Sequence, residues 1–242
     1  VRALLLAAGI GSRLRPVTDS IPKCLVPIHG RPLMDYWLDL LFGAGIERVL
    51  INTHYLADLV RRHVAASPYA ARIDLVQEPE LLGTGGTLAA NRDYFGRESA
   101  LVAHADNLTD FDVAGLIAAH HARPAGVAMT MLAFRTDDPR SCGILDLDER
   151  QVVKAFHEKV DNPPGNLANA AVYIVEPEVA DMAVAVGRPF VDLSTEIIPR
   201  LIGRILAVET HGYHRDIGNV ESLRRAQEEF PERGSDVARG RS

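Results

Sequence analysis

Cysteine is almost absent: Cys24 and Cys142 are the only two in 242 residues. Two thiols without CxxC or metal-ligand spacing exclude a disulfide-stapled scaffold and a zinc module, and they suit a reducing cytosol. Aromatics are scarce at 6%, with one Trp, while Gly (19) and Pro (14) stay near ordinary usage, which excludes collagen-like and low-complexity classes. No block of like charges occurs, and 26 basic against 32 acidic residues leave −6. That balance excludes a broad nucleic-acid-binding surface but leaves room for a local cationic pocket. Long apolar runs are missing too. The N-terminal run Ala3–Ala8 is shorter than a signal h-region and is soon followed by Arg13 and Arg15. Nothing approaches the ~18 residues of a bilayer span. The expectation is a soluble cytoplasmic protein with neither a membrane nor a nucleic-acid partner.

What is present is a regular alternation. At roughly 150 residues per domain the length predicts one large domain, or one with a small appendage. Ala3–Ala8, Arg48–Thr53, Ile73–Gln77 and Ala100–Asp106 read as buried strands. Between them lie helical patterns. One starts at Pro32, with Leu33, Met34, Trp37, Leu38, Leu41 and Phe42 at helical spacing, and stops at Gly43 and Gly45. Others cover Ala57–Val64, Thr87–Asp93 and Asp112–His121, and His120 and His121 at the end of the last place cations where the helix dipole favours them. Strand and helix in alternation predict an α/β, Rossmann-like three-layer sandwich with a mainly parallel mixed sheet.

The second half changes character. Gly126–Phe134, Gly143–Leu147, Val152–Lys159 and Asn169–Val175 are strand-like with turn residues between them, which predicts an added antiparallel hairpin region. A helix near Ser194–Ile202, a strand at Ile205–Glu209 and a last helix from the N-cap Asn219 to Phe230 follow. This gives a single domain over 1–230 and a flexible polar tail over 231–242, with no internal repeat and no clear linker.

The first loop follows a strand at its C-terminal end, where open α/β sheets bind ligands. It runs Ala7-Ala8-Gly9-Ile10-Gly11-Ser12-Arg13-Leu14-Arg15-Pro16. Its glycines let backbone N–H groups approach phosphate oxygens, and Arg13 can pair with them bidentately. It is not a Walker A loop, because Gly11-Ser12-Arg13 lacks the Gly-Lys-Ser/Thr ending, and Leu14 stands where a Rossmann fingerprint needs a small residue. Alone it is equally a tight strand-to-helix turn.

The wider string resembles the N-terminal signature of the sugar-phosphate nucleotidylyltransferases, L-A-A-G-x-G-[ST]-R-L-x-P-x-T, then P-K-x-L-x-P and G-x-P. It is carried by Leu6, Ala7, Ala8, Gly9, Gly11, Ser12, Arg13, Pro16, Thr18, Pro22, Lys23, Leu25, Pro27, Gly30 and Pro32. The resemblance extends over about residues 1–230 and implies the nucleotide-diphospho-sugar transferase type of fold. It implies a nucleotide-binding half (1–122), a sugar-binding half (123–218) and a C-terminal helix (219–230). It also implies direct in-line attack of a sugar 1-phosphate on the α-phosphorus of an NTP, with pyrophosphate leaving. Arg13 and Lys23 would neutralise the triphosphate.

Asp106, at a strand's C-terminal edge, suits Mg²⁺, which binds through one or two carboxylates plus substrate phosphates. The ordinary alternative for a lone Asp there is a turn cap. The resemblance supplies its partner, because His214-Arg215-Asp216-Ile217-Gly218 matches W/Y-x-D-[IV]-G and makes Asp216 the second metal ligand. It also places Gln77, Glu78, Gly83, Thr84, Gly85 and Gly86 at the nucleobase, and Leu82-Gly83-Thr84-Gly85-Gly86 resembles the L-G-T-[AG]-G of guanylyltransferases, favouring GTP over UTP, dTTP or CTP. On the acceptor side it implies Asn107, Gly143, Glu158, Lys159 and Asn169.

Departures from the pattern are Ala105 and Ala171 in place of Gly, and Cys142 in place of an aromatic; they keep a cyclitol 1-phosphate open as acceptor. Two other readings stand beside this one. A nucleotide-sugar glycosyltransferase would need D-x-D where Asp106-Asn107-Leu108 stands, and a catalytically silent regulatory subunit would tend to lose Arg13, Lys23, Asp106 or Asp216. Apolar hairpins in the second half could pack a homodimer.

Overall fold

The computed structural model describes residues 1–231. In chain order its elements begin with β1 (Arg2–Leu6), the short hairpin β2 (Pro27–Ile28) and β3 (Arg31–Pro32), α1 (Leu33–Gly43), β4 (Val49–Thr53), α2 (Ala57–Ala66) and β5 (Ile73–Gln77). Next come α3 (Gly83–Ala90), α4 (Arg92–Phe95), β6 (Ala100–His104), β7 (Asn107–Thr109), α5 (Val113–His121), β8 (Met129–Arg135), β9 (Gly143–Leu147) and β10 (Val153–Glu158). The last are β11 (Leu167–Val175), α6 (Pro177–Val184), β12 (Ile205–Glu209), β13 (His214–Asp216) and α7 (Val220–Glu229).

Nine strands form one mixed sheet in the order β10-β9-β11-β6-β1-β4-β5, with β8 on β11 and β12 on β8. The run β6-β1-β4-β5 is parallel, so four strands end on one edge. Alternation along β1 and β6 explains the layers. Ala3, Leu5, Leu101 and Ala103 face a core with Trp37, Leu38, Leu41, Val60 and Leu116 from α1, α2 and α5. Leu4 and Val102 face the opposite core, with Leu88, Phe95 and Val179 from α3, α4 and α6. Strands buried on both faces read as unbroken apolar runs, as the first half of the chain does. No helix among the described residues is long and apolar enough to cross a membrane.

A third, smaller core shapes the site. Leu14, Val26 and Ile28 from the long loop after β1 pack with Leu108, Ile217, Ala226 and Phe230. Phe230 stands edge-on to both Tyr36 and Tyr213, and Gln227 donates to the Pro27 carbonyl. α7 starts as expected, with the Asn219 side chain accepting from the Ser222 N–H in a capping box.

Three elements differ from the sequence reading. The segment near Ser194–Ile202 is not a regular helix but a π turn, Leu193–Ile197, followed by a 3-10 turn, Ile198–Leu201, because Pro199 has no N–H to continue it. α6 was not anticipated, although Pro177 at its first turn and Val179, Ala180 and Ala183 at helical spacing announce it. α3 starts at Gly83 rather than at Thr87. The tail expected after residue 230 lies, but for Pro231, outside the described residues.

His120 is also not a solvated cation answering the α5 dipole. It is 1% exposed, with Nδ1 on Thr130 Oγ1 at 2.8 Å and Nε2 on Glu176 Oε1 at 2.9 Å. Burial holds its pKa below the ordinary 6.5, so the unfolded chain takes up a proton there before the folded one. Stability from this site is full above the unfolded value and erodes as the pH falls. Lowering the pH from about 7 to about 5 should lower the melting temperature, and His120→Gln should flatten that slope. A slope that the substitution leaves unchanged would show that His120 does not carry it.

Candidate active site

The site lies where β1, β4, β5 and β6 end. Gly11 takes a left-handed conformation (φ 69°), which turns the loop into the 3-10 turn Ser12–Leu14, and Thr18 Oγ1 donates to the Gly11 carbonyl at 2.8 Å. Arg13 is exposed. Lys23, on the 3-10 turn Lys23–Leu25 after extended Pro22, points inward and is 8% exposed.

Its ammonium lies 2.6 Å from Asp106 Oδ2, just past β6, and 3.2 Å from Asp216 Oδ1, at the end of β13. The β7–β13 pairing brings these carboxylates together across 110 positions of sequence, with Asp216 opposite Asn107. Burial pulls the Lys23 pKa down, but the two carboxylates more than offset it and hold it above the ordinary lysine value. Burial pushes Asp106 up, and the Lys23 charge outweighs it and keeps the carboxyl below its usual range. Lys23 and Asp106 are therefore both charged at neutral pH. A Cβ on Gly218 would stand 2.6 Å from Asp216 Oδ2 and 3.4 Å from Arg13 Nη2, so the guanidinium borders the same cluster. Cys24, beside Lys23, is sealed in the core and burial pushes its thiol up to about 12, which leaves it no nucleophilic role. Burial likewise pushes His214 down to about 3, so its ring is neutral.

The second half supplies another wall. β11 changes register between Asn169 and Tyr173, and Ala171 within that bulge is left-handed (φ 53°). Asn169 Oδ1 accepts from the Ala171 N–H at 2.9 Å, and its Nδ2 donates to the Tyr173 hydroxyl at 2.8 Å. Register sets Ala168 beside Ile144 and Gly143 against Glu158, so Gly143, Glu158 and Asn169 share one level across three strands. A Cβ at 143 would stand 2.4 Å from the tip of the Phe156 ring and 2.6 Å from Glu158 Oε2, so those side chains would have to shift to admit one. Lys159 is exposed and left-handed (φ 49°), 3.5 Å from Glu158 Oε1. The departure at Ala171 thus strains the backbone rather than filling space. Relieving αL at a non-glycine gains about 1–2 kcal/mol and glycine's extra entropy returns about half, so Ala171→Gly should raise the melting temperature by about 1–4 °C. A lower melting temperature would contradict this.

Other residues singled out in the sequence are committed inside the fold. Asn107 is 4% exposed, its Nδ2 donates to the Ala170 carbonyl and its own carbonyl accepts from Trp37 Nε1. Glu78 is 3% exposed and accepts from Asn52, Thr87 and the Leu82 N–H. The Gly85 and Gly86 N–H groups both donate to the Val191 carbonyl, Val191 N–H donates to Leu82, and Leu193 N–H donates to Thr84 Oγ1. A strap, 188–193, therefore lies against the start of α3, and a Cβ on Gly86 would collide with the Pro189 carbonyl. Gln77 remains exposed, 3.1 Å from Arg61. Sequence reasoning missed Asn52 and this strap, because their partners are distant in the chain.

The chain resembles known proteins over nearly its whole length. The chain is 33% identical over 99% of its length to the mannose-1-phosphate guanylyltransferase of Mycobacterium tuberculosis, covering 65% of that protein. It is 29% identical over 92% of its length to the mannose-1-phosphate guanylyltransferase catalytic subunit beta of Xenopus tropicalis, covering 62% of it. The chain thus spans a little under two thirds of these relatives. The crystal structure of HddC from Yersinia pseudotuberculosis complexed with GMP-PN superposes with a TM-score of 0.80 at 26% identity, over 95% of this chain and 99% of that one. The nucleotidyl transferase family model matches residues 2–233, nearly the whole chain, and the chain belongs to that family.

Proposed function

We propose that this protein transfers the guanylyl group of GTP to a sugar 1-phosphate, releasing pyrophosphate. The observation that carries the reading is the Lys23 ammonium held between Asp106 and Asp216 at the carboxyl edge of a parallel sheet, beside the Ala7–Gly11 loop. Two polyanions must meet there, so catalysis is chiefly positioning and neutralisation. An acceptor phosphate oxygen attacks the α-phosphorus, the bond to the β-phosphate bridging oxygen breaks, and pyrophosphate leaves. The acceptor phosphate is already an anion, so no general base is needed. Arg13 and Lys23 bind phosphate oxygens, with Lys23 leaving the carboxylates to do so.

The donor set fits Mg²⁺, since two carboxylates already converge on one cationic centre and substrate phosphates would complete a hard-oxygen shell. Among the described residues no cluster of three His, Cys, Asp or Glu could hold a metal alone, so the site needs the phosphates. Mg²⁺ bound by Asp106 and Asp216 would supply neutralising charge at the α-phosphate. Glu158 and Asn169 face acceptor hydroxyls, and Lys159 takes the acceptor phosphate. Lys159→Ala should therefore raise the acceptor's KM about tenfold and leave the nucleotide's KM unchanged; the reverse pattern would remove Lys159 from the acceptor side.

GTP is favoured by the Leu82–Gly86 sequence and supported by the guanylyltransferase relatives and the GMP-PN-bound neighbour. Calorimetric titration of GTP, UTP, dTTP, CTP and ATP with Mg²⁺ tests it. GTP should bind at least about tenfold more tightly than the others. Tighter binding of a pyrimidine nucleotide would discard the base assignment, and no binding of any would discard the reading.

A further inference from the structure

Beneath the first loop lies a buried polar bridge that the reaction does not require by itself. Asn52, the penultimate residue of β4, is 3% exposed. Its Oδ1 accepts from the Ala7 N–H at 2.7 Å, and its Nδ2 donates to Glu78 Oε1 at 2.9 Å and lies 3.2 Å from Thr87 Oγ1. Glu78 carries its carboxylate into the same interior, and among the described residues no ion pair reaches it. Neutral donors hold it instead: the Asn52 amide, the Thr87 hydroxyl at 2.6 Å and the Leu82 N–H at 3.2 Å. The Glu78 backbone is fixed as well, its N–H on the Thr53 carbonyl and its carbonyl on His54 Nδ1.

A buried carboxylate without a cation is costly unless every hydrogen bond around it is made, so the bridge is rigid or absent. What it joins is informative. Ala7 opens the phosphate-approaching loop, while Leu82 and Thr87 bracket the Gly83–Gly86 turn at the start of α3. The amide at position 52 accepts from Ala7 and donates to a carboxylate at the same time, which a carboxylate there could not do.

We propose that Asn52, through Glu78, is a positioning residue that fixes the spacing between the phosphate loop and the nucleobase turn, and so sets nucleotide affinity without touching the nucleotide. The inference rests on the reading of those two segments as the nucleotide site. It predicts an effect on the nucleotide and none on the acceptor, whose residues stand on β9, β10 and β11 or just after β10.

The test exchanges the two polar groups. Asn52→Asp keeps the acceptor for Ala7 but sets two carboxylates against each other. Adding Glu78→Gln restores one amide and one carboxylate with the donor direction reversed. Calorimetry with GTP and Mg²⁺, and steady-state KM values for both substrates, are measured on the full chain. Asn52→Asp should weaken GTP binding by about 10–30-fold with the acceptor's KM within about twofold, and the double variant should recover to within about threefold of the parent. Unchanged GTP binding, an equal rise in the acceptor's KM, or a double variant no better than the single one would overturn the proposal. Should Asn52→Asp not fold, Thr87→Ala loosens the same bridge and should weaken GTP binding about threefold, and an unchanged affinity there also overturns it. A parent protein that binds no nucleotide would instead overturn the site reading, and this proposal with it.

Discussion

Asp106→Asn should lower turnover by about 10³-fold while the protein still folds. Among the described residues the carboxylate is one of two that converge on the cationic centre, and the amide that replaces it is isosteric but neutral and a poor ligand for a hard cation. The structural cost is smaller. Lys23 keeps Asp216 at 3.2 Å, and the Asp106 side chain is 34% exposed, so water compensates part of the lost pair. A loss of no more than about 2 kcal/mol follows, or about 4–8 °C in melting temperature. Turnover and stability must therefore separate. Near-normal Mg²⁺-dependent turnover would remove Asp106 from the metal site, and an unfolded variant would show that its partnership with Lys23 is structural first.

Gly86→Ala should have the largest effect on stability. The methyl group would collide with the Pro189 carbonyl, a backbone atom that cannot rotate away, while Val191 N and the Leu82 side chain stand 3.2 Å from the same point. The strap must then lift, and the two hydrogen bonds that the Val191 carbonyl accepts from Gly85 and Gly86 go with it. Together these cost about 3 kcal/mol or more, a fall of about 6–12 °C. Gly9→Ala is the control with the opposite signature. Among the described residues a Cβ there meets nothing within 4 Å, so the fold tolerates it and any loss falls on nucleotide KM alone. Equal melting temperatures for the two variants would contradict the packing explanation for Gly86.

Much of this was legible before any coordinates. Two-faced burial made β1, β4 and β6 continuous apolar runs, and α1 announced itself by the spacing of Met34, Trp37, Leu38 and Leu41. Asp106 was visible at a strand end and Arg13 in the loop after one, while the family resemblance marked Lys23 and Asp216. What could not be read was how polar groups satisfy one another across the chain. Glu78 and Asn107 look like ligand-facing residues in a string, but their partners, Asn52, Thr87 and Ala170, are fixed by sheet register and helix docking. The resemblance placed the glycines at 85 and 86 at the nucleobase. The strap 188–193 explains their lack of side chains sterically, and that strap is just over 100 residues away. Ala171 is the reverse case: its strain is local, but it shows only once a bulge is known to interrupt β11.

The most direct measurement is pyrophosphate release with Mg²⁺, crossing GTP, UTP, dTTP, CTP and ATP against a panel of sugar and cyclitol 1-phosphates. The account predicts release with GTP and one acceptor, one nucleotide-linked product per pyrophosphate, and loss of the signal in Asp106→Asn. Silence across the whole panel, in a protein that still binds nucleotide, would contradict it and leave a chain that holds nucleotide without turning it over.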